Sequence, residues 1–189
     1  MRRTFGLSTL LVLATAPAFA HGGHEASGFL HPFSGLDHLV AMVGVGLWAA
    51  LLASRRPAAR FAVPGAFLVM MAVGAAAGFA GIKLPLVEAA LAASVFAVGV
   101  LIVGAVRMPV AWAMGVAGLF AVFHGYAHAI EAPAEAGGAY ILGFLAASAL
   151  LQGVGLGLGG LVRKTIGDFG MRAMGGAVVA AGAVALISQ

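Results

Sequence analysis

The chain has 189 residues, of which 62% are hydrophobic and 8% charged, and its mean hydropathy of +1.09 excludes a soluble domain. It has no cysteine, which removes disulfides, thiolate metal sites and cysteine nucleophiles and leaves His, Asp, Glu and Met as available ligands. The net charge of +4 comes from basic residues spread over short connections rather than gathered in a patch, so the expected partner is the lipid bilayer and not nucleic acid.

Residues 1–20 read as a cleaved signal peptide. Arg2 and Arg3 form a basic start, Gly6 to Ala16 an apolar core too short to span comfortably, and Ala18-Phe19-Ala20 a small-x-small cleavage site. Cleavage would expose His21-Gly-Gly-His24-Glu25 outside the cytoplasm, where His21 and His24 are expected to act as a metal-collecting tail. Six apolar runs follow, over residues 31–53, 61–81, 84–106, 109–131, 138–161 and 171–188, each near the ~20 residues a spanning helix needs. Pro32, Pro85 and Pro109 fall at run starts, where proline is tolerated. The expected fold is an all-α membrane protein: a compact bundle of six transmembrane helices, with residues 21–189 as one domain. Gly74 with Gly78 and Gly155 with Gly159 have the small-xxx-small spacing that lets helix backbones approach.

The connections set the orientation. Arg55, Arg56, Arg60, Arg107, Arg163, Lys164 and Arg172 follow runs one, three and five, against Lys83 alone in the other connections, so seven basic residues to one mark the cytoplasmic side. An even number of crossings then leaves both termini on the periplasmic side of an inner membrane. Trp48 and Trp112, near the cytoplasmic ends of runs one and four, are expected as interface anchors.

Two polar clusters interrupt the apolar runs. His31-Pro-Phe-Ser34-Gly-Leu-Asp37-His38 opens the first, and Phe123-His124-Gly125-Tyr126-Ala127-His128-Ala129-Ile130-Glu131 closes the fourth. Ionisable groups at membrane depth are costly and therefore functional candidates. At 1.5 Å per residue, His38 and His124 both sit roughly 25 Å above the cytoplasmic arginines, Glu88 ~28 Å, His128 ~32 Å, and His31 and Glu131 ~36 Å. Deeper, Gln152 lies near ~16 Å, and Met42 one turn below His38 is a soft group in the same direction. The spacing of His124 and His128 places both rings on one helix face.

Imidazole and carboxylate without thiolate suit nickel, cobalt, zinc or ferrous iron better than magnesium or copper(I). Gly125 stands where the glutamate of a His-Glu-x-x-His protease would be, so the later pair is equipped to bind and not to cleave peptides. Asp37 suits either direct ligation or fixing the tautomer of a neighbouring ring. A rival reading is an intramembrane zinc-dependent hydrolase built from Ser34, Asp37, His38, His124 and His128. A third is a non-conducting metal sensor or chaperone.

The first motif, the Ala41-Met42 and Val45-Gly46-Leu47-Trp48 that follow it, and the later His-x3-His together resemble the HupE/UreJ family of bacterial nickel permeases, over essentially the whole mature chain. In the family pattern glycine often follows the second histidine of the later motif, where this chain has Ala129. The resemblance implies a secondary permease carrying nickel, or cobalt, inward to supply hydrogenase or urease, together with nickel-delivery accessory proteins. It implies metal handling by His31, Asp37, His38, His124 and His128, with His21, His24, Ser34, Met42, Glu88, Glu131 and Gln152 as accessory or pathway groups. The metal is then cargo, with no resident cofactor and no enzymatic activity.

Overall fold

The computed structural model describes residues 28–133 and 137–188, so the signal peptide expected over residues 1–20, His21, His24 and the terminal Gln189 lie outside the described residues. Among the described residues there are seven helices and no strand: α1 (His31–Ser34), α2 (Leu36–Ala53), α3 (Ala59–Phe79), α4 (Val87–Val103), α5 (Val110–Ile130), α6 (Gly138–Thr165) and α7 (Asp168–Ile187). Five of them, α2, α3, α5, α6 and α7, are long and apolar enough to cross a membrane. The chain reads as a multi-pass membrane protein.

Two departures from the expected runs have local causes. The first run breaks at Gly35, whose extended backbone (φ −102°, ψ 123°) separates the short α1 from α2. The third run yields only the 17 residues of α4, because Leu86 (φ 56°) and Ala105 (φ 48°) are left-handed and bound the helix at both ends. Seventeen residues rise about 25 Å, less than the ~30 Å hydrocarbon core.

The long helices associate most closely as α3 with α5, α4 with α7, and α2 with α6, and α2 also touches α3, α4, α5 and α7. It is the central helix: Met42, Val45, Leu47, Trp48 and Ala49 are almost wholly buried. Within lipid no hydrophobic force separates helix from tail, so association depends on close backbone approach. Glycine supplies that approach in each pair. A Cβ at Gly74 would strike the Val122 carbonyl and one at Gly125 the Met71 carbonyl, across α3 and α5. In α2 and α6, Gly46 lies against the Gln152 carbonyl and Gly155 against the Val43 carbonyl, while between α4 and α7 Gly99 lies against the Val179 backbone nitrogen and Gly182 against that of Phe96. Gly78 meets Ala129 and Gly159 meets Ala50, so the residue that departs from the family pattern sits at a helix crossing.

The two ends of the bundle differ in chemistry. Arg55, Arg56 and Arg107 line one recess of about 220 Å³, which places two of the basic connections at the same end. The histidines occupy the opposite end. Trp112 is 71% exposed at the start of α5, as an interface anchor would be, but Trp48 is fully buried in the core. The expectation for Trp48 is corrected by the centrality of α2, which leaves that face no lipid contact.

The glycine contacts yield a comparison within one helix. Gly125→Ala forces a methyl group into the Met71 backbone and is expected to destabilise the protein by about 1–3 kcal/mol, whereas Gly115→Ala, with nothing within 4 Å, should be neutral or slightly stabilising. Thermal unfolding of both variants in detergent checks this.

Candidate metal centre

Four imidazoles gather where the start of α2 meets the end of α5. The ring of His38 lies 4.6 Å from that of His128 and 5.7 Å from that of His124, and His31 lies 4.9 Å from His128 and 6.1 Å from His38, centre to centre. Two imidazoles on one tetrahedral ion, with metal–nitrogen bonds of about 2.0–2.1 Å, have ring centres about 5 Å apart. The separations therefore match a shared ion, although the rings now meet edge to face or tilted. Among the described residues no three His, Asp or Glu side chains stand as a finished metal-holding group, so sharing an ion requires the rings to turn.

Each helix places its rings for a local reason. In α5 the four-residue spacing stacks His128 above His124 on the face turned to α2. In α2 the extended Gly35 starts the helix so that Asp37 falls in its first turn, where a carboxylate is favoured by the helix dipole. Phe67 packs 5.7 Å from His124, and Phe144 stacks flat on His128 at 4.6 Å and 13°.

Hydrogen bonds fix which nitrogens are free. The Asp37 carboxylate accepts from His38 Nδ1 at 3.3 Å, which leaves Nε2 bare in the neutral ring, and that atom is buried without a partner. Ser94 donates its hydroxyl proton to the Leu91 carbonyl at 2.7 Å. Its oxygen, 2.9 Å from His124 Nε2, must then accept from that nitrogen. His124 therefore turns a bare Nδ1 inward, again buried and unpartnered, and neither nitrogen of the fully buried His128 has a partner. Each such orphan costs roughly 1–3 kcal/mol. Three buried rings thus offer lone pairs that nothing in the described protein satisfies, and these are the groups a transition ion would take.

His31 is the outermost ring, with Nε2 3.0 Å from Glu131 Oε2, a pairing between residues counted to equal height. With Ser34, Asp37 and His38 these two line an opening of about 220 Å³. Glu88 shares with Asp37 the rim of a groove of about 690 Å³ beside α4 and α7. Ser34 donates to the His31 carbonyl at 2.7 Å, so its hydroxyl proton caps its own turn of helix. Met42 and Gln152 are buried below the rings, with Gln152 Nε2 3.8 Å from Met42 Sδ. Sequence reasoning missed Ser94. A lone serine in an apolar helix carries no signal until its depth beside His124 is known.

A family model described as HupE / UreJ protein matches residues 9–185. The chain is 42% identical over 188 residues to Protein HupE of Rhizobium leguminosarum bv. viciae, covering 96% of this chain and 97% of that protein. No solved structure matches the chain significantly.

Because Ser94 acts on His124 through one hydrogen bond, Ser94→Ala is expected to weaken divalent transition-metal binding roughly 10- to 100-fold and, by orphaning the buried Nε2–H, to lower stability by about 1–3 kcal/mol. Ser94→Thr, which keeps the hydroxyl, should recover most of the affinity. Nitrogen NMR of labelled histidine should report the Nε2–H tautomer of His124 in the intact protein and its loss in Ser94→Ala.

Proposed function

The chain belongs to the HupE/UreJ family, and from that membership we propose that it is a secondary permease carrying divalent nickel, with cobalt as alternative cargo, from periplasm to cytoplasm. The observation that carries this reading is the set of bare imidazole nitrogens on His38, His124 and His128, buried at one end of a membrane bundle and without protein partners. Neutral imidazole nitrogens suit nickel and cobalt and are poor ligands for magnesium or calcium.

In this reading the bundle crosses a bacterial inner membrane six times, α4 included, with both termini periplasmic and the basic end cytoplasmic. The ion is collected by His21 and His24 and enters past His31 and Glu131. It is then held among His38, His124 and His128 while Asp37 supports His38 and offsets part of the charge. The chain contains no nucleotide-binding motif. An inside-negative potential drives a dication inward by ~4.6 kcal/mol per 100 mV, enough for uptake without a second coupled ion. The role is supply, to hydrogenase or urease through their nickel-delivery accessory proteins, and not catalysis. The hydrolase alternative, in which zinc would activate a water, finds less support, since the Ser34 hydroxyl proton that could steady an oxyanion is held by the His31 carbonyl.

The test is nickel accumulation by cells expressing His38→Ala, His124→Ala and the double variant, with membrane abundance measured alongside. Either single substitution should abolish uptake, and the double should be no worse, because once one ligand of a shared ion is gone the second contributes little. Asp37→Asn should weaken uptake at scarce nickel while the protein still inserts. Independent, multiplicative losses in well-inserted variants would contradict a shared ion.

A further inference from the structure

Below the histidine rings the α2–α6 seam holds polar atoms that the cluster above it does not use. Met42 follows His38 by one turn of α2, about 6 Å nearer the basic end. On α6, Phe144, which stacks on His128, is followed at four-residue steps by Ser148 and Gln152, so all three share one face. Met42 and Ser148 are fully buried and Gln152 is 1% exposed. Gln152 Nε2 donates to Met42 Sδ at 3.8 Å, while Gln152 Oε1 and Ser148 Oγ are buried without a partner.

A buried glutamine with its oxygen unpaired is an expensive way to fill a lipid-embedded core, since leucine would fill it without loss. The helices are held closest at this level, where Gly46 meets the Gln152 carbonyl and Gly155 the Val43 carbonyl. That crossing brings the Met42 sulfur and the Gln152 side chain together. By contrast, a recess of about 10 Å³ beneath His124 is walled below Ser94 by Ala41, Val45, Phe67 and Val98, which offer an ion no ligand.

We propose that Met42, Ser148 and Gln152 form a second, inner resting site for the same divalent transition-metal cargo, one step beyond the histidine rings toward the basic end. The proposal rests on the permease reading and adds the route. The donors are a thioether sulfur, an amide oxygen and a hydroxyl oxygen, all neutral. A neutral set holds a dication weakly, as a site that must release its ion requires, because conduction needs steps tight enough to enter and loose enough to leave. The sulfur also discriminates by softness, accepting nickel or cobalt in preference to magnesium or calcium.

The experiment reconstitutes the full chain in liposomes holding a nickel-quenched dye and compares Met42→Leu, Ser148→Ala and Gln152→Leu with the intact protein. Equilibrium nickel binding is measured on the same purified variants. Met42→Leu nearly conserves volume, and it carries the test if Gln152→Leu does not insert. Nickel flux should fall roughly tenfold or more in Gln152→Leu and several-fold in Met42→Leu and in Ser148→Ala, since each removes an ion contact. Binding at the histidine rings should stay within about twofold, which a general loss of structure would not allow. The Met42→Leu/Gln152→Leu double variant should be close to the worse single one. Full flux in all three single variants overturns the inner site. Flux and affinity falling together would also overturn it, because the seam would then merely support the rings. An intact protein that passes no nickel overturns the permease reading, and the inner site with it.

Discussion

A neutral imidazole carries one N–H and one lone pair, and in a lipid-embedded interior each must find a partner or cost free energy. Asp37 takes the N–H of His38 and Ser94 that of His124, so the protein satisfies one nitrogen of each ring and leaves the other bare and buried. His128, beside His38 and flat against Phe144, has neither nitrogen satisfied. A core selected for stability alone would have apolar side chains here. The orphaned nitrogens are intelligible as ligands for an ion that the protein does not keep.

The rest of the bundle holds that arrangement in place. Gly125, between His124 and Tyr126, brings α5 against the Met71 backbone, and Gly46 and Gly155 seat α2 against α6. The same contacts that give helices affinity for each other in lipid therefore fix the separation of the rings. They also fix the meeting of Met42 with Gln152 one turn below. Positions that carry no candidate ligand set the spacing of those that do, and a methyl group added at one of them would shift both helix packing and the separation of the rings.

Much of this was legible before any coordinates. Counting residues from the arginine-bearing ends placed His38 level with His124 and His31 level with Glu131, and in each case the side chains meet. The count works because straight helices with basic ends convert sequence separation into depth. Small-xxx-small spacing identified Gly74, Gly78, Gly155 and Gly159 as crossing points. What escaped was whatever depends on neighbours. Trp48 reads as an anchor until α2 proves to be surrounded, and Ser94 carries no signal until His124 stands beside it. The left-handed Leu86 and Ala105 that shorten α4 are not residues whose chemistry announces a turn.

The claim at the centre of this account is that the buried rings share one cargo ion, and X-ray absorption at the nickel edge of the purified, nickel-loaded protein tests it most directly. The account predicts the outer-shell scattering of at least two imidazoles around each nickel, with one ring's contribution lost in His124→Ala. Because the chain has no cysteine, any sulfur in the shell would come from methionine. Nickel surrounded by water oxygens alone, or a spectrum unchanged by His124→Ala, would contradict it.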